Sequence, residues 1–571
     1  MSTSPRPSTR TDHDVPVPMR DGTVLRAVVV RPLVDEPVPV VLLRSPYPLA
    51  DARFETDLMG LAERGLALVM VALRGTGASD GVFYPWADDQ RDGVDTIAWC
   101  AEQEWSNGRV ATTGRSYVAQ TQLYAAGGAP PALRAMVTGV VPSDPWSLTY
   151  TGGALNLGST LGWAAAMAGV PLARRAAAGE DVTRLQEEWA ALLGGFPAGF
   201  ATTPLTDVPV LDELFPAWRD WAEHAHLDDY WRAHALPDRP ALPTFVVAGW
   251  HDVFRDLSLR EFAREPRHPG SRLVVGPWSH GPAGRSLGDV DHGPAASGAA
   301  IGLDAQILDF LAAHLASDDV PVPDAPVQVF VTGANVWTHH ATWPPAARDV
   351  DLHLHPGALA AGPAADGTPP SRYVFDPRDP VPTRGGNTLL PQGDAAGMCG
   401  SVDQRPLDAR TDVLRFVGDP LPAPVRVIGT VRLTLHAATS AADTDWTAKL
   451  VDVHPDGTAL NLVDGILRAS RQDPAHPALL TPDEPHELVV ELGAVGHEFA
   501  AGHRIRLDVS SSSFPRFDRN PGTGAPAASV AEADFVVAHQ RVLHDAAHLS
   551  RLTLPVVVAG DQPADDQPAE D

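Results

Sequence analysis

The chain has 571 residues, with 43 basic and 71 acidic side chains and a formal net charge of −28. That balance excludes a reader of the nucleic-acid backbone, which needs Lys and Arg clustered on one face. Two cysteines, Cys100 and Cys399, are too few for a disulfide framework or a thiolate zinc site.

At roughly 150 residues per domain the length predicts three or four domains. Lys449 is the only lysine, so a Schiff-base lysine has a single position available. Residues 1–14 (MSTSPRPSTRTDHD) lack the apolar core of a signal peptide, and we read them as a loose start of cytoplasmic type. The first third then alternates short apolar runs with amphipathic ones. Strands are predicted at 25–30, 38–43, 67–73, 110–113 and 135–141, with helices at 51–64 and 88–104. Near-continuous β-branched runs alternating with 3.6-residue spacing predict a parallel sheet covered on both faces.

Residues 144–237 break that rhythm. They are rich in Ala, Leu and Trp, with helical spacing at 184–193 and 216–224, and read as a helical insertion between two strands. The uncharged stretch 145–173 is long enough to span a bilayer, but Gly152, Gly153, Asn156, Gly158 and Ser159 interrupt it. No membrane span is expected. Strands resume at 244–248 and 272–275, and 327–332 is expected to close the sheet. From about 349 to 558, short alternating runs at 351–355, 426–436, 447–454, 487–492 and 504–510 lie between Gly, Pro and Asp turns. They predict a β-sandwich or jelly roll. The acidic end, 561–571, reads as a solvated tail.

The chemistry centres on residues 109–119 (RVATTGRSYVA). Ser116 follows a strand and precedes an apolar helical run, 118–126. A sharp strand–turn–helix lifts such a hydroxyl above the sheet and turns the next backbone N–H, that of Tyr117, into an oxyanion donor. Gly114 relieves crowding in the turn, and Val118 departs from the G-x-S-x-G pattern. A triad on such a sheet runs Ser, acid, His, each at a strand's carboxyl end. Asp252 ends the strand 244–248 and His280 follows the strand 272–275, in that order. Asp144 competes for the acid role and His251 for the base; Asp252 and His280 are preferred.

Five segments extend this pattern: Arg44-Ser-Pro-Tyr47, Arg74-Gly-Thr-Gly-Ala-Ser-Asp-Gly81, Gly114-Arg-Ser-Tyr117, Ala248-Gly-Trp-His-Asp252 and Gly276-Pro-Trp-Ser-His280. Asp403-Gln-Arg405, Asp445-Trp-Thr-Ala-Lys-Leu-Val-Asp452, Asp464-Gly-Ile-Leu-Arg468 and Phe514-Pro-Arg-Phe-Asp-Arg-Asn520 continue it. Together they resemble the cocaine-esterase-like family of serine hydrolases, a group that also holds X-Pro dipeptidyl peptidases and α-amino acid ester hydrolases. Ala119 departs from it, since many members carry glycine there. The resemblance implies an α/β-hydrolase domain (1–143 and 238–346), a helical cap (144–237) and a C-terminal jelly roll with the acidic tail (347–571). It also implies that the Tyr47 phenol is a second oxyanion donor. Phe254 and Trp163 are implied to line the acyl pocket, with Trp146 and Tyr150 as weaker candidates.

The expected activity is hydrolysis of aromatic or aliphatic carboxylic esters, with no cofactor. The expected partner is a small-molecule ester, with no nucleic acid or membrane; the oligomeric state stays open, a homo-oligomer included. α-Amino acid ester hydrolases carry acids just after the catalytic aspartate to hold the substrate ammonium. Phe254 and Arg255 stand there instead, and an arginine repels such an amine, although Asp256 is close. X-Pro dipeptidyl peptidases also bind a free amine. Two other classes are a non-catalytic protein with a lectin-like jelly roll, and a metalloenzyme using His339, His340, His353 and His355. The first is opposed by the intact Ser116–Asp252–His280 set. The second lacks ligand spacing, and these histidines read as a solvated strand face.

Overall fold

The computed structural model describes residues 8–52, 57–196, 198–390 and 398–557. The acidic tail lies outside them. A ten-stranded sheet organises the first 340 residues. From edge to edge it runs Thr9–Pro18, Val24–Pro32, Ala67–Ala72, Val38–Ser45, Ser106–Arg115, Leu133–Gly139, Thr244–Gly249, Arg272–Gly276, Val327–Val331 and Val336–His340. The strands from Ala67–Ala72 to Val327–Val331 are mutually parallel. The two strands at the start and the one at the end are antiparallel to their neighbours.

Two expectations need correction here. The start is not loose from residue 9 onward, because Thr9–Pro18 pairs along Val24–Pro32. Nor does Val327–Val331 close the sheet, because Val336–His340 pairs beyond it.

The two-residue period of a strand sorts this sheet's core. Val40 and Leu42 join Val69, Val71, Ile97 and Leu123 on one face. Val41 and Leu43 join Leu68, Met70, Val118 and Leu311 on the other. Helices Asp89–Ala101 and Tyr117–Gly127 supply the first layer, and helix Leu303–Ala316 belongs to the second. Of the helix expected at 51–64, Leu49–Ala52 and Leu58–Glu63 are described; residues 53–56 lie outside the described residues.

Between strands Leu133–Gly139 and Thr244–Gly249 stand the helices of the insertion, chiefly Leu157–Ala177, Thr183–Gly194 and Ala217–Glu223. Their core is aromatic, with Trp218, Trp221 and Trp231 almost wholly buried. No described helix is long and apolar enough to cross a membrane.

The C-terminal part is an eleven-stranded, largely antiparallel sheet. Val425–Thr439 pairs along His486–Phe499, and Asp445–Val453 pairs with both Ala459–Arg468 and Arg504–Ser510. Leu433, Leu435, Trp446, Leu450, Val490 and Leu507 pack into its core.

Candidate active site

Strands Ser106–Arg115, Leu133–Gly139, Thr244–Gly249 and Arg272–Gly276 are successive neighbours in the sheet. Their carboxyl ends therefore gather Ser116, Asp252 and His280 on one rim, where ligands of open parallel sheets bind.

Ser116 sits between strand and helix with φ 58° and ψ −132°. A left-handed φ is strained for a residue with a Cβ. Its N–H donates to the Gly139 carbonyl at 2.9 Å. Gly114, at φ +148°, makes the turn feasible: a Cβ there would stand 2.2 Å from Val118 Cγ1. Tyr117 opens the helix, so its N–H belongs to the first-turn donors that no intrahelical carbonyl reaches.

His280 is held from two sides. Its Nδ1 lies 2.6 Å from Asp252 Oδ2, and the Asp252 side chain is fully buried. Asp252 Oδ1 accepts from the Phe254 N–H at 2.7 Å, which fixes the carboxylate plane. The carboxylate thus sets the tautomer that places the proton on Nδ1 and the lone pair on Nε2. Arg115, next to Ser116, donates from Nη2 to the carbonyls of His280 and Gly281 at 3.2 and 2.8 Å. That bond ties the histidine loop to the serine turn. The edge of the Phe254 ring meets His280 with centroids 5.3 Å apart.

The competitors are otherwise engaged. Asp144 caps helix Pro145–Thr149, accepting from the Ser147 N–H at 3.0 Å. His251 is buried, and desolvation pushes its pKa down to about 3.

A narrow cavity of about 40 Å³ opens on Ser116. Its wall includes Tyr117, Trp163, Phe254, Trp86, Trp221 and Leu389, and among the described residues no lining residue carries a charge. Trp163 stacks on Tyr117 with centroids 5.4 Å apart and donates from Nε1 to the Tyr47 hydroxyl oxygen at 2.9 Å. The Tyr117 hydroxyl donates to Asp89 Oδ2 at 2.6 Å. Burial drives the Asp89 carboxyl up, while Arg44 and Tyr117 hold it down.

A larger cavity, about 370 Å³, lies between the sheet and helix Leu303–Ala316. It reaches Arg115 and Gly281, but Ser116 is not among its lining residues. The smaller cavity is the candidate substrate site, because Ser116 opens into it.

Trp146 and Tyr150 do not line the Ser116 cavity. They stack on each other at 4.6 Å, and the Tyr150 hydroxyl donates to the Trp221 carbonyl, so they buttress the wall from behind. Arg255 is not a repelling group at the pocket either. It is 1% exposed and turns toward the C-terminal part, bonding Asp256 Oδ2 at 2.7 Å and the Leu492 carbonyl at 3.2 Å. Asp256 is occupied as well, accepting from Arg255 and from the Ala494 N–H. Trp86, Trp221 and Leu389 were missed by the sequence reading. They come from three distant segments, and only the tryptophan-rich composition of the insertion hinted at them.

Comparison with known proteins matches this architecture. The family model described as X-Pro dipeptidyl-peptidase (S15 family) covers residues 21–282. That of the X-Pro dipeptidyl-peptidase C-terminal non-catalytic domain covers 321–553. The cocaine esterase of Rhodococcus sp. (strain MB1 Bresler) is 35% identical over 567 residues, covering 95% of this chain and 98% of that one. The chain belongs to the cocaine-esterase-like family of serine hydrolases. Its fold is accordingly an α/β-hydrolase domain with an inserted helical cap and a C-terminal β-rich domain, and it is an enzyme. Among solved structures, an aminopeptidase from a marine sediment Thaumarchaeota archaeon superposes with a TM-score of 0.80 at 26% identity. An α-amino acid ester hydrolase superposes with a TM-score of 0.79 at 27% identity. Each comparison covers 97% of both chains.

Proposed function

We propose that this hydrolase cleaves esters of neutral carboxylic acids through an acyl-enzyme on Ser116. His280 Nε2 takes the Ser116 proton as the hydroxyl attacks the ester carbonyl, and returns it to the departing alcohol. Asp252 stays ionised and stabilises the imidazolium. The Tyr117 N–H and the Tyr47 hydroxyl donate to the oxyanion. The Tyr47 oxygen accepts from Trp163 at 2.9 Å, which orients the phenol. Water then repeats the sequence on the acyl-enzyme.

The observation that carries the choice of acyl group is the uncharged wall around Ser116. An ammonium on the acyl side would be buried there without a counter-ion among the described residues, which is costly. Asp256, the acid nearest in sequence to Asp252, is already committed to Arg255 and Ala494. Both features speak for a neutral acyl group over the amino-ester and X-Pro peptide readings. A cavity of about 40 Å³ holds roughly three waters at 10–15 Å³ each. A cavity of this size favours a small acyl group such as acetyl over a benzoyl ring. The strained Ser116 backbone also speaks against a non-catalytic binding protein, for which such strain would serve no purpose.

The test is steady-state hydrolysis of p-nitrophenyl acetate, butyrate and benzoate by the wild type and Ser116→Ala. Turnover should fall by at least about 10⁴-fold in the variant, and the acyl series reports how far the wall yields. Full activity in Ser116→Ala would remove the nucleophile assignment.

A further inference from the structure

The structure holds a second constellation, in the C-terminal domain, that plays no part in the ester chemistry. Strands Asp445–Val453 and Arg504–Ser510 are antiparallel, with Asp452 opposite Ile505 and Val453 opposite Arg504. One step further along this register, His454 faces His503. Their rings lie 4.4 Å apart, tilted by 35°. The Asp452 carboxylate stands between them. Its Oδ1 is 2.9 Å from His503 Nδ1, and its Oδ2 is 3.6 Å from His454 Nε2. One donor atom from each residue falls within a sphere of mutual distances no larger than 4.8 Å.

We propose that Asp452, His454 and His503 form a binding site for a divalent transition ion of the Zn²⁺ type. A tetrahedral Zn²⁺ with bonds of about 2.0–2.2 Å spaces its ligands about 3.4 Å apart. The Asp452 oxygens stand 2.9 and 3.6 Å from the two imidazoles, and the three donors lie within 4.8 Å of one another on paired strands, so modest side-chain movement closes them around an ion. Two imidazoles and one carboxylate suit Zn²⁺, Co²⁺ or Ni²⁺; Ca²⁺ and Mg²⁺ prefer all-oxygen sites. Binding removes the proton that His503 Nδ1 shares with Asp452, because imidazole ligates in its neutral form.

An outer shell is present too. Buried His497 places Nε2 at 3.2 Å from Asp452 Oδ2, and its Nδ1 lies 2.8 Å from Thr332 Oγ1. A second imidazole bonded to a ligating carboxylate orients it and tunes its basicity. The His454 and His503 side chains are 33% and 17% exposed, while Asp452 is 4% exposed. Ions therefore have a route in, and a water can take the fourth position. Thr332 follows the strand Val327–Val331 of the ten-stranded sheet and bridges to His497. A bound ion would brace the β-rich domain against the hydrolase domain at that junction, which is a structural role.

The full chain, stripped with a chelator and dialysed against Zn²⁺, should retain one ion per chain at this site. Co²⁺ should give the intense visible bands of a four-coordinate ion. His454→Gln combined with His503→Gln should abolish both signals, and His497→Gln should weaken binding by about 10- to 100-fold. His339→Gln, on the exposed strand Val336–His340, should change neither. Folding of each variant is checked by circular dichroism. For a variant that fails to fold, the wild type supplies its own readout. Zn²⁺ should protect His454 and His503, but not His339, from diethylpyrocarbonate, as mapped by mass spectrometry. Retention of Zn²⁺ by the folded double variant, or equal labelling of His454 and His503 with and without Zn²⁺, would overturn the proposal and leave a hydrogen-bonded histidine–carboxylate cluster.

Discussion

The cap shows two contrasting faces. Toward Ser116 it presents Trp163 and Trp221, with no charge on the lining among the described residues. Toward the β-rich domain it meets one of the most heavily charged buried clusters of the molecule. There Arg468 bonds both oxygens of Asp445 at 2.9 Å and reaches Asp518 at 2.9 and 3.1 Å. Asn520 completes the cluster by donating to Asp445 and Asp443. The cap hairpin around Gly152 docks directly on it: the Arg468 N–H donates to the Gly152 carbonyl at 2.7 Å, and the Leu155 N–H to Asp518 Oδ1 at 2.9 Å. Burial pushes the Asp445 carboxyl up to about 6, while the Arg468 guanidinium beside it holds it down. Buried charge is acceptable where each ion is paired and hydrogen-bonded. Beside Ser116 that cost is avoided, since no described lining residue carries a charge. One face bonds the cap to the β-rich domain; the other lines the Ser116 cavity with aromatic rings.

Substitutions should separate the two faces. The largest effect is expected from Asp252→Asn, which reverses the His280 tautomer and should lower kcat by about 10⁴-fold with a small change in melting temperature. On the seam, Arg468→Met leaves Asp445 and Asp518 buried and unpaired. It should cost about 3–5 kcal/mol of stability, read by denaturant titration. Tyr47→Phe should lower kcat by about 100- to 1000-fold through loss of one oxyanion donor, with KM nearly unchanged. The smallest change in stability belongs to Ser116→Gly. It removes the nucleophile but also the left-handed strain at φ 58°, so an inactive protein should be more stable by about 1 kcal/mol. If Ser116→Gly were instead destabilising, the turn would be held by side-chain contacts and not by strain.

Much of this was legible in the sequence where burial enforces pattern. Strand Ala67–Ala72 is buried throughout and reads as an unbroken apolar run. Arg504–Ser510 alternates between its turns and was placed to the residue. Thr9–Pro18 was missed because eight of its ten residues point to neither core: the strand is an exposed edge, held by backbone pairing that leaves no apolar signature. Val336–His340 was missed for the same reason.

At the site, the candidates Ser116, Asp252 and His280, which the fold brings to one rim, could be picked out because strand ends are local features. The cavity wall could not. Trp86, Trp221 and Leu389 converge from three regions, while Trp146 and Tyr150 lie closer in sequence to the expected pocket and sit behind it. Arg255 misled for a related reason, since adjacency to Asp252 and Phe254 says nothing about which way a helix turns its side chain. The Asp452–His454–His503 cluster depends on a cross-strand register that single-sequence reading does not supply; an Asp-x-His at a predicted strand end was its one visible signal.

The central claim is that an uncharged wall around Ser116 selects a neutral acyl group. It is tested most directly by kcat/KM for the methyl esters of phenylacetate and phenylglycine, matched in shape, at a pH where the phenylglycine amine is charged. The account predicts that the neutral ester is strongly preferred and that Ser116→Ala abolishes turnover of both. Preference for the charged ester would contradict it and would place a carboxylate, not an apolar wall, at the acyl group.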